Sequence, residues 1–141
     1  AVLNTQDYTS SMQAIDLARD GTRGVITDGP SARTVSIPGL DTLHSFSVSG
    51  SGGYARISGD GSTVADGGFN LRAFRETSPG SWSSVHSSSL SSNWLGNGIA
   101  LSDDGQYMFM SSFNYSTGYL LLTYQCWDLN SNTKLSETTT K

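Results

Sequence analysis

The sequence predicts an all-β chain of three repeated four-stranded antiparallel units, each about 40–44 residues long. Two observations lead there. Asp-Gly pairs recur at Asp20-Gly21, Asp60-Gly61 and Asp104-Gly105, separated by 40 and 44 residues. Each pair is flanked by short apolar or β-branched segments alternating with a period of two, the signature of strands with one buried face. Helix-period patterning is nearly absent. Ser11–Arg19 alone can be drawn as a short helix, and register with the other repeats argues for a strand.

The elements follow in order. Before each turn an apolar pair stands two apart: Ile15 and Leu17, Ala55 and Ile57, Ile99 and Leu101. After each turn comes a second strand: Gly24–Thr27, Thr63–Ala65, Tyr107–Met110. Asp-Gly readily adopts positive φ at both central residues, so each unit is expected to open with a type I′ hairpin. The third and fourth strands are Arg33–Ile37 and His44–Ser49 in the first unit, and Asn70–Arg75 and Trp82–Ser87 in the second. In the third unit the assignment is Gly118–Tyr124, Cys126–Leu129 and a further segment Thr133–Thr139. Four antiparallel strands in this length match one propeller blade. The expected organisation is a single β-repeat domain, 1–141, with repeats at roughly 10–50, 51–95 and 96–141 and residues 1–9 as a complementing strand.

Composition excludes several classes. The 141 residues carry a net charge of −4, and only 14% are charged. The eight Lys and Arg are scattered and form no basic stripe, so nucleic-acid binding is not expected. No apolar run approaches the length of a membrane span, so no membrane insertion is expected. Cys126 is the single cysteine, which leaves no internal disulfide. It is read as a small core residue beside Trp127 or Tyr124.

Catalysis finds little footing. His44 and His86 are the two histidines, read as half-exposed strand residues, and no nucleophile-elbow motif accompanies them. Asp60, Asp66, Asp103 and Asp104 are carboxylates clustered at turns, where Asp is favoured for local hydrogen bonds. Zinc and iron lack soft ligands. Asn114-Tyr115-Ser116 is a glycosylation triplet, in a stretch, Phe113–Thr117, read as an exposed loop.

The turn segments GGYARISGDGSTVADGG and GNGIALSDDGQYMFMSS resemble the opening of FG-GAP-type β-propeller repeats, where a strand ends in Ser-x-Asp-Gly before the next. The continuation NLRAFRETSPGSWSSVHSSSL is similar to that family as well, with an aromatic third strand and a Trp opening the fourth. The Phe-Gly that names the family is replaced by Leu95-Gly96 and Ser51-Gly52. The resemblance implies a β-propeller-like fold, and it raises calcium, which some relatives hold in loops. The Asp-x-Asp-x-Asp-Gly spacing that suits calcium is missing, so no cofactor is expected.

A blade cannot cover its own faces, and closed rings have at least four. Three resolutions follow: part of a larger propeller, a two-copy ring of six, or an open stack. The preferred partner is a second copy or a neighbouring subunit of an assembly. The expected function is a non-enzymatic structural, assembly and interaction module, extracellular, on a cell surface or in a virion. The alternative is a carbohydrate-binding propeller lectin, with a glycan held by Trp94, Asn93, Asn97 and Tyr54. Trp94 carries that alternative, because SSNWLGNG reads as a Ser/Asn/Gly-rich connection between units. Trp82 and Trp127 are read as filling the core between units.

Overall fold

The computed structural model describes residues 12–28, 31–47, 54–90, 94–114 and 121–140, with backbone only for 12–13 and 94–97. Among the described residues twelve strands form three four-stranded sheets, each sequential in strand order and antiparallel throughout. The first sheet holds β1 (Met12–Leu17), β2 (Arg23–Asp28), β3 (Ser31–Ser36) and β4 (Thr42–Ser47). The second holds β5 (Tyr54–Ile57), β6 (Thr63–Gly67), β7 (Asn70–Ser78) and β8 (Ser81–Ser89). The third holds β9 (Trp94–Leu101), β10 (Tyr107–Asn114), β11 (Leu121–Asp128) and β12 (Thr133–Thr140).

The sheets stack along their first strands. β1 meets β5, and β5 meets β9, while β2 and β6 add contacts to the strand in front. Each sheet therefore has a rear face toward the preceding sheet and a front face toward the following one. Between sheets one and two, the front-face residues Ala18, Val25, Ala32 and Phe46 bury against Ala55, Ile57 and Val64, with Phe74 and Trp82 alongside. Phe46 sits 4.6 Å from Phe74 and edge-on to Trp82 at 5.4 Å, ring centre to ring centre. Between sheets two and three, Ala65, Leu71 and Ala73 bury against Ile99, Met108, Met110 and Leu129, with Trp127 beside them. Trp82 and Trp127 thus fill the inter-sheet core, as their place in the repeats predicts.

Several expectations need correction. Only the glycine of each Asp-Gly pair has positive φ: 71° at Gly21, 73° at Gly61 and 63° at Gly105. The turns are therefore not type I′, which requires positive φ at both central residues. Each is instead closed by the glycine amide donating three residues back, to Ala18, Ser58 and Ser102. In the third unit Tyr124 and Cys126 lie within one strand, β11, and Thr133–Thr140 is the fourth strand. The break comes at Leu129–Asn132, where Asn132 has φ 52° and turns the chain without a glycine. Trp94 is not in a connection: it opens β9, paired with Asn114 of β10. Phe113 and Asn114 end a strand, and the Asn114 side chain is buried, unlike an exposed glycan acceptor. His86 is buried rather than half exposed, and Cys126 is half-buried. The proposed complementing strand, residues 1–9, lies outside the described residues.

The packing yields a stability contrast. Met108→Ala empties a fully buried position between two sheets; the expected loss is about 2–5 kcal/mol by urea unfolding. Leu43→Ala, on an exposed position of β4, is expected to change stability by no more than about 0.5 kcal/mol.

Candidate interaction surface

The three turns are built alike and converge. In the second and third units, Ser58 and Ser102 donate their hydroxyls to Asp60 and Asp104 at 2.6 Å in both cases. The same hydroxyls accept the amides of Thr63 and Tyr107 at 2.9 Å. The Asp carboxylates also accept the amide two residues on: Thr22 to Asp20 at 2.9 Å, Ser62 to Asp60 at 2.9 Å and Gln106 to Asp104 at 3.0 Å. Ala18 stands where the serine would be in the first unit, so that turn lacks the serine links. Asp60 is partly buried, which alone would raise its pKa, yet the Ser58 and Ser62 hydrogen bonds hold it below the ordinary aspartate value. The Thr22 amide and hydroxyl lower Asp20, and the Ser102 hydroxyl and Gln106 amide lower Asp104. The six predicted turn residues are therefore structural, with their carboxylates committed to closing hairpins.

Hydrogen bonds run from turn to turn. The Arg19 amide donates to the Gly59 carbonyl at 2.9 Å, and the Asp60 amide to the Asp103 carbonyl at 2.8 Å. Arg19 also forms an ion pair with Asp103, so turns of the first and third sheets meet. Glycine is needed at Gly105 for a second reason. A Cβ there would lie 2.2 Å from the Thr63 hydroxyl. Polar links also cross the sheet interfaces: Ile57 N–H to Asp16 at 3.1 Å, Arg23 to Glu76, and Arg75 to the Gly105 carbonyl at 2.7 Å. His86 lies under Trp127 with ring centres 4.4 Å apart, and its Nδ1 is 2.7 Å from Asn132 Oδ1 across the second interface. Its Nε2 is 3.0 Å from the Ser88 hydroxyl on its own strand, so one ring nitrogen crosses to the third sheet while the other is held within the second. Asp66 is buried; desolvation raises its pKa against the opposing pull of Arg72, whose Nη2 is 2.7 Å away.

Of the four residues predicted to hold a ligand, three stand on described strands. Tyr54 is exposed at the start of β5. Trp94 and Asn97 lie on the β9 backbone, and Asn93 is outside the described residues. A cleft of about 280 Å³ does open where the second and third sheets splay, lined by Ser89, Ser112, Thr123, Gln125, Glu137 and Thr139. Sequence reasoning missed it, because its hydroxyls come from β8, β10, β11 and β12 and share no local motif.

What the stack leaves uncovered is more telling. On the rear face of the first sheet, Ile15 is 67% and Leu17 55% exposed. The residues at the matching positions, 40 and then 44 further on, are Ala55 and Ile57, then Ile99 and Leu101. Ala55, Ile57 and Ile99 are only 0%, 6% and 7% exposed, each covered by the preceding sheet. On the front face of the third sheet, Phe109 is 50% exposed, while its counterparts Val25 and Ala65 are both fully buried at 0%. Phe109 stacks on Tyr124 with ring centres 6.2 Å apart, and Tyr107 is exposed on the same face. A narrow groove of about 140 Å³ runs beside Ile15 and Leu17, floored by Gly24, Ile26 and Val35.

Radially stacked four-stranded sheets with shared faces have counterparts among solved structures. A structure of U3-55K matches with a TM-score of 0.72 over 94% of this chain and 40% of that one, at 14% identity. The WD40 repeats of RRP9 match at 0.71, over 94% and 39%, also at 14% identity. The β-propeller domain of Cps50 (Swd1) from Myceliophteria thermophila matches at 0.65, over 92% and 44%, at 13% identity. The three sheets are β-propeller blades. No family model and no curated protein matches the sequence. At these identities the likeness is one of fold, and the chain spans about 40% of the propeller chains it matches. The blades run outward from β1, β5 and β9, and the exposed rear of the first blade and front of the third are the two faces that no described blade covers.

The turn carboxylates give the blades a pH dependence. Asp20, Asp60 and Asp104 have folded-state pKa values below the unfolded one, so their contribution is present above the ordinary aspartate value and is lost as pH falls through the folded values. Asp66, raised by burial, contributes with the opposite sign, favouring the fold below the ordinary value. The thermal midpoint is therefore expected to fall on acidification below the ordinary aspartate range. Asp60→Asn combined with Asp104→Asn keeps an acceptor oxygen in each turn and should flatten that acid limb; an unchanged limb would place the acid-labile groups elsewhere.

Proposed function

We propose that the chain is a non-enzymatic interaction and assembly scaffold, a run of propeller blades that works by docking its two end faces onto partner sheets. The observation that carries this reading is the position-by-position contrast between ends and interior. The positions of Ile15 on one side of the stack and Phe109 on the other carry exposed apolar side chains at the ends and are buried at both internal interfaces. Solvated blade faces are poor in large apolar side chains unless something covers them. The propeller neighbours support the same reading, since one is described by its WD40 repeats and another as a β-propeller domain. The serines, aspartates and glycines of the rim turns are the basis on which we relate the chain to FG-GAP-type repeats, within that common propeller architecture.

An apolar-surface dye such as anilinonaphthalene sulfonate tests the scaffold reading. The dilute chain is expected to bind it, and the double variant Ile15→Ser, Phe109→Ser to lose most of the signal while keeping its β-sheet circular dichroism. Dye binding that is absent in the wild type, or unchanged in the double variant, would remove the end faces as docking surfaces.

A further inference from the structure

We infer that the polar cleft between the second and third sheets binds a single sugar ring or another small neutral polyol. The inference goes beyond the scaffold reading and concerns a different surface from the two end faces. Near the inner strands the seam is filled by Met108, Met110 and Leu129. Further out the third sheet presents shorter, polar side chains, and there the cleft opens. Ser112, Thr123 and Thr139 are cross-strand partners along β10, β11 and β12, which sets three hydroxyls in a row on the rear face of the third sheet. Gln125 and Glu137 are cross-strand partners two residues along the same face. Ser89 and Leu90, at the end of β8, form the opposite wall. The Leu90 amide donates to the Phe69 carbonyl at 3.0 Å, which holds that wall in place.

The floor of the cleft is buried and unsatisfied. Ser112 is only 2% exposed, it lines the cleft, and its hydroxyl has no hydrogen-bond partner among the described residues. A buried hydroxyl costs free energy unless something entering the site supplies its partner. The rim is oriented. The Trp127 indole N–H donates to Gln125 Oε1 at 3.0 Å, and an indole nitrogen only donates, so the two ends of the amide are fixed. Gln125 Nε2 then donates to Glu137 Oε2 at 2.6 Å, and Lys134 Nζ donates to the same oxygen at 2.7 Å. Among the described residues this leaves Glu137 Oε1 as an open acceptor and the second Gln125 N–H as an open donor. The hydrogen bonds from Lys134 and then Gln125 hold Glu137 below the ordinary glutamate value, so the acceptor is a carboxylate at neutral pH. Its charge is already met by Lys134, which leaves little call for a second cation. A fixed acceptor, a fixed donor and a hydroxyl able to act as either suit the neighbouring hydroxyls of a polyol, and Leu90 offers an apolar surface to its C–H face. The volume of about 280 Å³ lies just below the range of roughly 300–1,000 Å³ that holds drug-sized ligands, so it takes one small ring. At the first interface the position of Gln125 belongs to Arg72, whose donors are committed to the buried Asp66 at 3.2 and 2.7 Å. The open donor and acceptor pair is a feature of the second seam.

The Trp127 indole N–H reports on the site, because it is bonded to Gln125. The full chain is titrated with glucose, galactose, mannose and myo-inositol while that N–H resonance is followed by NMR. A saturable shift is expected with at least one of the four. Ser112→Ala removes the floor hydroxyl, and Glu137→Gln keeps the rim's shape while turning an amide N–H toward the ligand where an acceptor stood. Each is expected to weaken the affinity about tenfold, the loss of one good hydrogen bond. Leu43→Ala, on the exposed outer strand of the first sheet, should leave the affinity unchanged. No response to any of the four polyols overturns the inference. So does a response that both cleft variants leave intact, which puts the sugar elsewhere on the chain. A response to arginine with none to the polyols overturns it as well, by making the carboxylate a cation site. Melting curves check that the variants fold; should Ser112→Ala fail to, Thr139→Val, at the exposed rim of the same row, replaces it. None of these outcomes bears on the end faces, which the dye experiment tests.

Discussion

The packing of inner strands β1, β5 and β9 against one another is the constraint on which the fold depends. A four-stranded antiparallel sheet has two faces, and neither the turns nor the side chains of one blade can cover both. Here each internal face is completed by its neighbour: Val25 is buried in one cluster with Ala55, Ile57 and Val64, and Ala65 in another with Ile99, Met108 and Met110. The small residues of the front faces, Ala18, Ala32, Ala65 and Ala73, let the inner strands approach. Gly67 marks a close point of that approach, since a Cβ there would lie 2.7 Å from the Ile99 Cδ1. The turns follow from the same closeness. Their glycines take positive φ, and their backbone amides reach the next blade.

The few charges are used across these seams. Asp16 accepts an amide from β5, Arg23 pairs with Glu76, and Arg75 reaches the Gly105 carbonyl. A blade stack held by apolar contact alone would tolerate sliding of one sheet over the next, because hydrophobic burial is non-directional. Directional bonds at a few points fix the register. His86 does the same further out, where Trp127 covers one face of its ring and Asn132 and Ser88 take its two nitrogens. Low overall charge and precise cross-blade bonding are thus two sides of one design: with so few ionic groups, several of them stand at interfaces.

The repeat was legible because its chemistry is local. Asp, Gly and the preceding Ser interact within five residues, so they leave a recurring word in the sequence, and the apolar pairs before it expose the strand period. What lay beyond local chemistry was harder to read. The turn at Leu129–Asn132 has no Gly or Pro, because Asn132 alone supplies the positive φ; the third unit was accordingly divided inside β11. Trp94 stood among Ser, Asn and Gly and read as a connection, although pairing with β10 makes it a strand residue. Burial of Asn114 and His86 depends on the neighbouring sheet, which no window of sequence contains. The type of Asp-Gly turn was misjudged for a related reason: a four-residue closure, with serine hydroxyls bridging it, competes with the two-residue hairpin and wins.

The ends of the stack are where sequence and structure say most together. Read singly, Ile15, Leu17 and Phe109 are exposed apolar residues of a kind every protein has. Their meaning comes only from alignment by the turn words: the positions of Ile15 and Phe109 are buried in both other units, and that of Leu17 is buried in the second and partly buried in the third. Exposure at those positions therefore goes with the lack of a described sheet against them. Gly24 sharpens this. Glycine in a strand interior weakens the strand, and here it takes the place held by Val64 and Met108 in the other blades. The cause lies in the sheet itself: a Cβ there would meet the Asp16 carbonyl oxygen at 3.1 Å, and the Val35 and Ile37 side chains already cover the position, so the open apolar surface of this face is carried by Ile15 and Leu17 on β1.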